Sequence, residues 1–537
     1  LARRYAELYG NEFADMARYM IYFAYGQEDW ASDVNAKERV MHVFGPTPED
    51  IRRTALFRAR YYRLLQNTVT DLFTDAKKHA EKLMGHRLES RAHATWAESP
   101  TIDRWRSGQF RYAYEYTSDF IWSNTVHQAA SACYDYFKWG DFLTGNGNDH
   151  AEGGWLDRDY YAMALACSTG IINDVPYSYA AHWGMPDAIS NRRSALVSAY
   201  GAAGSPLYGM VQDMQHRDVD VLMLYPMDLV AVEERFGSWM TQYGYANYIS
   251  QDKLVELGKV ANGCIEIRGR QFTTLVATFE PFPTQRLLDM ISQMLSQGGR
   301  VIWSGPPPVF TREGKPALPQ WCDLFGVDYT AGPEEGVMAP GRVVTFAGAL
   351  AGVPPQSILT DMLVDHVYAV APRAGTESVA TTQAGVIGTL RAVNGGGRAV
   401  FLGFRPRDDQ SASLGYEVGT WFQILTALGA YPPSGKLAGV NDNTEYLSRT
   451  SPYLFCRFPN GAVAVAPHFY NVEESWEGGF ARNRERDAEI MKHISLPPDE
   501  IHLKDQAVNG HRVTFDGSWA MTFRMGVRPS AGGGNEA

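Results

Sequence analysis

"GGRVIWSGPPP" (residues 298–308) and "GGGRAVFLGFRPRDD" (residues 395–409) share one layout: a glycine turn, an arginine, then a short apolar run. Short runs of this kind, bounded by turn residues, read as strands buried on both faces of a sheet. With "DVDVLMLYP" (218–226) as another buried strand and helical text between them, they predict a doubly wound α/β domain. The pattern places that domain at 216–433, with a strand-rich insertion near 335–395.

Upstream, residues 1–215 alternate helix-like and strand-like segments. The clearest helix spans about Phe57 to Met84: Tyr61, Leu65, Val69, Leu72, Ala76, Ala80 and Leu83 step by four or three, and Gly85 supplies a stop. "SRAHATW" (90–96) and "YAYEYTSDFIWSN" (112–124) read as strands, and "VHQAASACYDYFKW" (126–139) reads as a helix. "DRDYYAMALACSTGI" (157–171) is again helical, and "PYSYAAHWGMP" (176–186) is a strand running into a turn. Alternation of this kind, with polar and aromatic residues gathered where strands end, predicts the C-terminal part of a (β/α)8 TIM barrel. Downstream, "YLFCRFPNGAVAVAPHFYN" (453–471) and "HRVTFDGSWAMTFRM" (511–525) hold short strands with Asn-Gly and Asp-Gly turns. They predict a β-sandwich-like domain over 434–525, followed by a disordered tail, 526–537. The fold class is therefore α/β with a small C-terminal β domain.

Composition narrows the function. A net charge of −11 with no basic stripe argues against a nucleic-acid partner. No apolar run reaches the roughly 18 residues of a membrane span. The five cysteines form no CxxC pair and the histidines no close Cys/His cluster, so no metal is expected. A reducing, cytoplasmic setting fits that cysteine usage. The opening "LARRYAELYG" has neither a starting Met nor a signal-peptide pattern and reads as the middle of an amphipathic helix, as in a fragment whose start lies upstream.

Glycoside hydrolysis needs two carboxylates, one protonated and one ionised, and barrels set them on strand-end loops. Three glutamates stand in Gly- or aromatic-rich contexts: Glu28 in "YGQEDW", Glu98 in "TWAESP" and Glu152 in "GNGNDHAEGGW" (145–155). Each has a plainer reading. Glu152 suits a solvated glycine loop, Glu98 an ion pair with Arg91 or Arg104, and Glu28 an exposed helix end. Trp96, Trp122, Trp155 and Trp183 are candidate stacking platforms for a carbohydrate substrate, or core. Asn124, Asp149, His150 and His182 are the candidate polar contacts to its hydroxyls. "GNGNDH" lacks the GxGxxG spacing and "NGGGRAV" enters a strand, which argues against a dinucleotide site.

"DHAEGGWLDRDYYAMALACSTGI" (149–171) followed by "PYSYAAHWGMP" resembles the last quarter of the barrel in family-42 β-galactosidases. The resemblance implies a retaining glycosidase with Glu152 as nucleophile, Trp183 on the eighth strand and no cofactor. It also implies an amidotransferase-like trimerisation domain, hence a homo-oligomer, and a small β domain at the end. The family's acid/base stands in an Asn-Glu pair, and the first domain has only Asn11-Glu12 in its helix-like opening. The acid/base then lies upstream of Leu1, or it is Glu28 if "YFAYGQEDW" (22–30) is the fourth strand. If the strand count differs by one pair, Glu98 becomes the nucleophile. The cysteine cluster that some relatives use for zinc is missing. The strand "FTTLVATFEPFP" (272–283), where an amidotransferase would carry its cysteine, ends in Phe279, Glu280 and Pro281, which argues for packing and oligomerisation instead. The competing reading is a non-catalytic carbohydrate-binding or scaffold protein with an incomplete barrel, because exposed parallel edges would remain.

Overall fold

The computed structural model describes residues 1–10, 48–86, 145–146, 172–173, 219–224, 246–267, 269–331, 337–338, 342–353, 356–358, 366–404, 424–431, 453–457, 462–467, 500–508, 511–518 and 521–524. Helix α1 (Ala2–Tyr9) lies against α2 (Pro48–Met84), where the buried Tyr5 ring meets Phe57 edge-on at 5.4 Å. At 1.5 Å per residue, α2 is about 55 Å long. It begins nine residues before the expected start and ends, as expected, before Gly85, whose φ is +73°.

The buried face of α2 differs from the apolar stripe read from sequence. Leu56, Phe57, Ala59, Arg60, Arg63 and Leu64 are buried, whereas Leu72, Ala76 and Leu83 of the expected stripe are exposed. The inward face follows arginines at i and i+3, whose aliphatic stems pack like apolar side chains while their heads seek partners.

Two short strands, β1 (Gly145–Asn146) and β2 (Ile172–Asn173), pair in parallel. Next come β3 (Val221–Leu224), β4 (Asn247–Ile249) and helix α3 (Gln251–Leu257), which the Ser250 hydroxyl caps by accepting the Lys253 N–H at 3.2 Å. Strands β5 (Lys259–Ala261), β6 (Cys264–Ile267) and β7 (Arg270–Phe272) form an antiparallel meander. It leads into β8 (Thr274–Thr278), α4 (Gln285–Ser296), β9 (Arg300–Ser304) and α5 (Leu318–Phe325).

Beyond α5 the chain is strand-rich. The short strands β10 (Val327–Asp328) and β11 (Val337–Met338) precede β12 (Arg342–Phe346) and β13 (Gln356–Ile358). Then β14 (His366–Val367) pairs with β11, β15 (Ala371–Pro372) pairs with β10, and β16 (Thr376–Thr382), β17 (Gly385–Ala392) and β18 (Arg398–Leu402) follow.

Nine strands form one mixed sheet in the order β13-β12-β16-β17-β18-β9-β8-β3-β4. Its five strands β4-β3-β8-β9-β18 are mutually parallel; numbered by chain position they run 2-1-3-4-5, the doubly wound pattern. The two glycine–arginine stretches become the parallel neighbours β9 and β18. Their apolar runs are continuous because both faces are covered. On one face α4 and α5 pack Leu288, Ile291 and Trp321 onto Val301, Trp303 and Phe401. Trp321 stacks on Phe325 at 4.8 Å and meets Phe401 edge-on at 5.1 Å. Full burial of each such ring removes its apolar surface from water at about 25 cal/mol per Å².

In the C-terminal stretch β19 (Tyr453–Arg457) pairs antiparallel with β20 (Ala462–Pro467). Strands β21 (Glu500–Val508) and β22 (His511–Ser518) form a hairpin across Asn509-Gly510, and β23 (Met521–Arg524) joins β20. Asp516-Gly517, expected as a turn, instead lies inside β22, where Ile501 faces Gly517 and His502 faces Asp516.

Candidate functional site

The residues that the sequence nominates for catalysis, Glu28, Glu98 and Glu152, lie outside the described residues. So do Trp96, Trp122, Asn124, Asp149, His150, Trp155, His182 and Trp183. Only the strands flanking Glu152 in the sequence, β1 and β2, are described.

The best-defined polar cluster sits where a doubly wound sheet ordinarily binds ligands, outside the carboxyl ends of its strands beside the point where strand order reverses. Three segments meet there. Strand β4 runs through Ser250 into α3, presenting Gln251 and Asp252. Strand β8 is followed by Phe279, at φ +47°, so the chain turns sharply and carries Glu280 into the interior. The Gly305 backbone packs so closely there that a Cβ on it would come 3.3 Å from the Phe279 Cα. Helix α2 brings Arg63 to both Asp252 and Glu280, and Arg60 to the Arg312 carbonyl.

Glu280 is fully buried, and its Oε2 accepts a hydrogen bond from Gln251 Nε2 at 2.7 Å. Arg63, 3% exposed, spans two carboxylates: Nη1 lies 3.4 Å from Asp252 Oδ2 and Nη2 lies 3.6 Å from Glu280 Oε2. Arg312 Nη1 pairs with the other oxygen of Asp252, and Arg60 Nε donates to the Arg312 carbonyl at 2.8 Å. The Arg60 guanidinium also lies over the Tyr9 ring, 4.6 Å from its centre. Gln251 Oε1 accepts the Thr284 N–H, tying the first turn of α4 to the same cluster.

Burial pushes the Asp252 carboxyl up. The guanidiniums of Arg312 and Arg63, with hydrogen bonds from Arg312 and Asn67, outweigh that and hold it at about 2. Burial likewise pushes the Tyr9 phenol up, against the pull of Arg312. Asp252 therefore stays ionised at neutral pH and cannot deliver a proton to a leaving group. Glu280 reaches no solvent, so no substrate meets it in this arrangement. The cluster clamps α2 onto the α/β sheet; it is not a second pair of glycosidase carboxylates.

Sequence reading missed this clamp. A signal exists in "FRARYYR" (57–63), where Arg60 and Arg63 stand three apart and share a helix face. Their carboxylate partners, more than 180 residues away, carry no local mark.

No protein-family model matches the chain, and no curated protein matches it. Among solved structures it is similar to a catalytic mutant of a GH42 β-galactosidase from G. stearothermophilus, with TM-score 0.49 and 9% identity, covering 97% of this chain and 74% of that one. A β-galactosidase from a Rahnella species has TM-score 0.39 and 11% identity, over 73% of this chain and 61% of the other. An α-L-fucosidase isoenzyme from Paenibacillus thiaminolyticus has TM-score 0.39 and 11% identity, over 70% and 55%. The chain thus spans about three-fifths of the length of the Rahnella enzyme. These structural neighbours are glycoside hydrolases.

Proposed function

We propose that this chain belongs to a retaining glycoside hydrolase acting on terminal β-galactosides or a related glycoside, with Glu152 as nucleophile. The observation that carries the reading is the parallel pairing of Gly145 with Ile172 and of Asn146 with Asn173. Parallel neighbours need a crossover of a dozen or more residues. Glu152 follows the carboxyl end of β1 by six residues, at the kind of position from which barrel enzymes draw catalytic groups. The glycines around it free the backbone for a close turn.

In this mechanism the Glu152 carboxylate attacks the anomeric carbon, the bond to the leaving oxygen breaks, and that oxygen takes a proton from the acid/base. Water then cleaves the glycosyl ester with the same group acting as base, so the configuration is retained. Glu28, or a group outside this chain, serves as acid/base, roughly 5–5.5 Å from Glu152. The β-rich and α/β parts serve packing and assembly into a homo-oligomer.

Glu152→Gln assayed on aryl β-galactosides and related aryl glycosides is expected to lower kcat by on the order of a thousandfold. A 2-deoxy-2-fluoro glycoside should leave its label on the peptide containing Glu152. Label on Glu98, or unchanged turnover in Glu152→Gln, sinks the assignment. A parent chain that retains galactoside binding without turnover favours the non-catalytic carbohydrate-binding reading.

A further inference from the structure

The two glycine–arginine turns of the sequence meet in space. Arg300 opens β9 and Arg398 opens β18, and they stand opposite each other in register, with Thr274 of β8 next in line. Neighbouring strands lie about 4.8 Å apart, so the two arginines leave the sheet side by side on one face. The glycine before each arginine has a separate cause. A Cβ at Gly299 would collide with Met294, and one at Gly397 with the Leu295 carbonyl, because α4 closes the opposite face there. Strand alternation then sends the next residue, the arginine, away from α4.

No described residue neutralises the pair. Arg300 is half-buried; its Nη1 donates to Thr274 Oγ1 at 2.9 Å, and its buried Nε has no hydrogen-bond partner among the described residues. Arg398 is exposed. Among the described residues no carboxylate forms an ion pair with either. Burial, and then the charge of Arg398, lower the Arg300 guanidinium below the usual arginine range. Over both heads lies the turn at Gly429, φ +78°, where a Cβ would be 3.1 Å from Arg300 Nη2 and 3.9 Å from Arg398 Nη1. At Gly429 the covering turn therefore presents backbone to the guanidiniums.

We propose that Arg300 and Arg398 form an oxyanion site at the amino edge of the parallel sheet, taking a phosphate-type dianion. A dianion balances two guanidiniums that otherwise repel, and their planar N–H forks match phosphate oxygens. The site lies on different strand ends from the Arg63 clamp and is independent of the glycosidase reading.

Inorganic phosphate titrated calorimetrically into the full chain, at ionic strength fixed with chloride, is expected to bind saturably at one site. Arg398→Gln removes an exposed side chain, leaves the fold intact, and should weaken that binding by about tenfold or more. Lys315→Gln, an exposed charge elsewhere, should leave it unchanged. Arg398→Glu should abolish the phosphate response and raise Tm in chloride, because the new carboxylate pairs with Arg300. Absence of saturable heat, or phosphate binding by Arg398→Gln as tight as the parent's, overturns the proposal.

Discussion

At the carboxyl edge of the parallel sheet, Arg63 sits within 3.4 Å of Asp252 and 3.6 Å of Glu280, and Arg312 holds the far oxygen of Asp252. At the amino edge of the same sheet, Arg300 and Arg398 stand in register with a threonine hydroxyl as the polar contact. Both edges draw arginine to strand ends, but only the first supplies carboxylates. A guanidinium taken out of water needs a compensating charge, since leaving an ion unpaired in the interior costs several kcal/mol. The carboxyl edge meets that need from within the chain and is closed by a helix. The amino edge meets it with nothing from the described residues, and its outer arginine stays exposed.

The largest expected effect breaks the closed edge. Arg63→Ala removes a buried guanidinium that lies 3.6 Å from the buried Glu280 carboxylate, and should cost about 3–5 kcal/mol, read as a lower urea midpoint at unchanged m. Arg63→Met combined with Glu280→Leu replaces the buried pair with apolar groups and should recover most of that loss. A loss under about 1 kcal/mol in Arg63→Ala would mean that the two edges do not differ as described.

The next effect is on pH. Asp252 has a folded pKa of about 2, below an unfolded value of about 3.9. Its stabilisation is therefore complete above about pH 4 and is lost as pH falls through 2, because the unfolded chain binds the proton first. The shift corresponds to at most about 2.6 kcal/mol, less the screening of a side chain that is 32% exposed. Asp252→Asn should lower stability at pH 7 and flatten the acid limb of the stability curve between about pH 4 and 2. An unchanged slope would remove Asp252 from the clamp.

What could be read in the sequence follows from how local each signal is. The strands at 298–308 and 395–409 were legible because a glycine turn and a run buried on both faces are written in consecutive residues; their pairing as neighbours was not. The extent of α2 was nearly legible, but its inward face was not. Apolar spacing selects Leu72 and Leu83, whereas the sheet edge selects Arg63 through the sequence-distant carboxylates of Asp252 and Glu280, and Arg60 through the Arg312 carbonyl. Asp516-Gly517 shows the same limit: its turn chemistry yields to pairing with Ile501 and His502. For the proposed nucleophile, the sequence offers Glu152 and its glycines, while the described residues include only the paired strands β1 and β2 on either side of it in the chain.

The smallest effect tests the other side of α2. Leu72 and Leu83 are 68% and 74% exposed, so truncating them removes little buried apolar surface. Leu72→Ser should change stability by no more than about 0.5 kcal/mol, the ordinary range for a surface position. Measured beside Arg63→Ala on the same helix, it separates two explanations for why α2 stays docked. If the clamp holds the helix, the charged residue dominates and the leucine is nearly silent. If Leu72→Ser costs more than about 1 kcal/mol, the apolar stripe is covered in the working molecule. The helix would then be held from both faces, and the carboxyl edge would lose its standing as the main anchor.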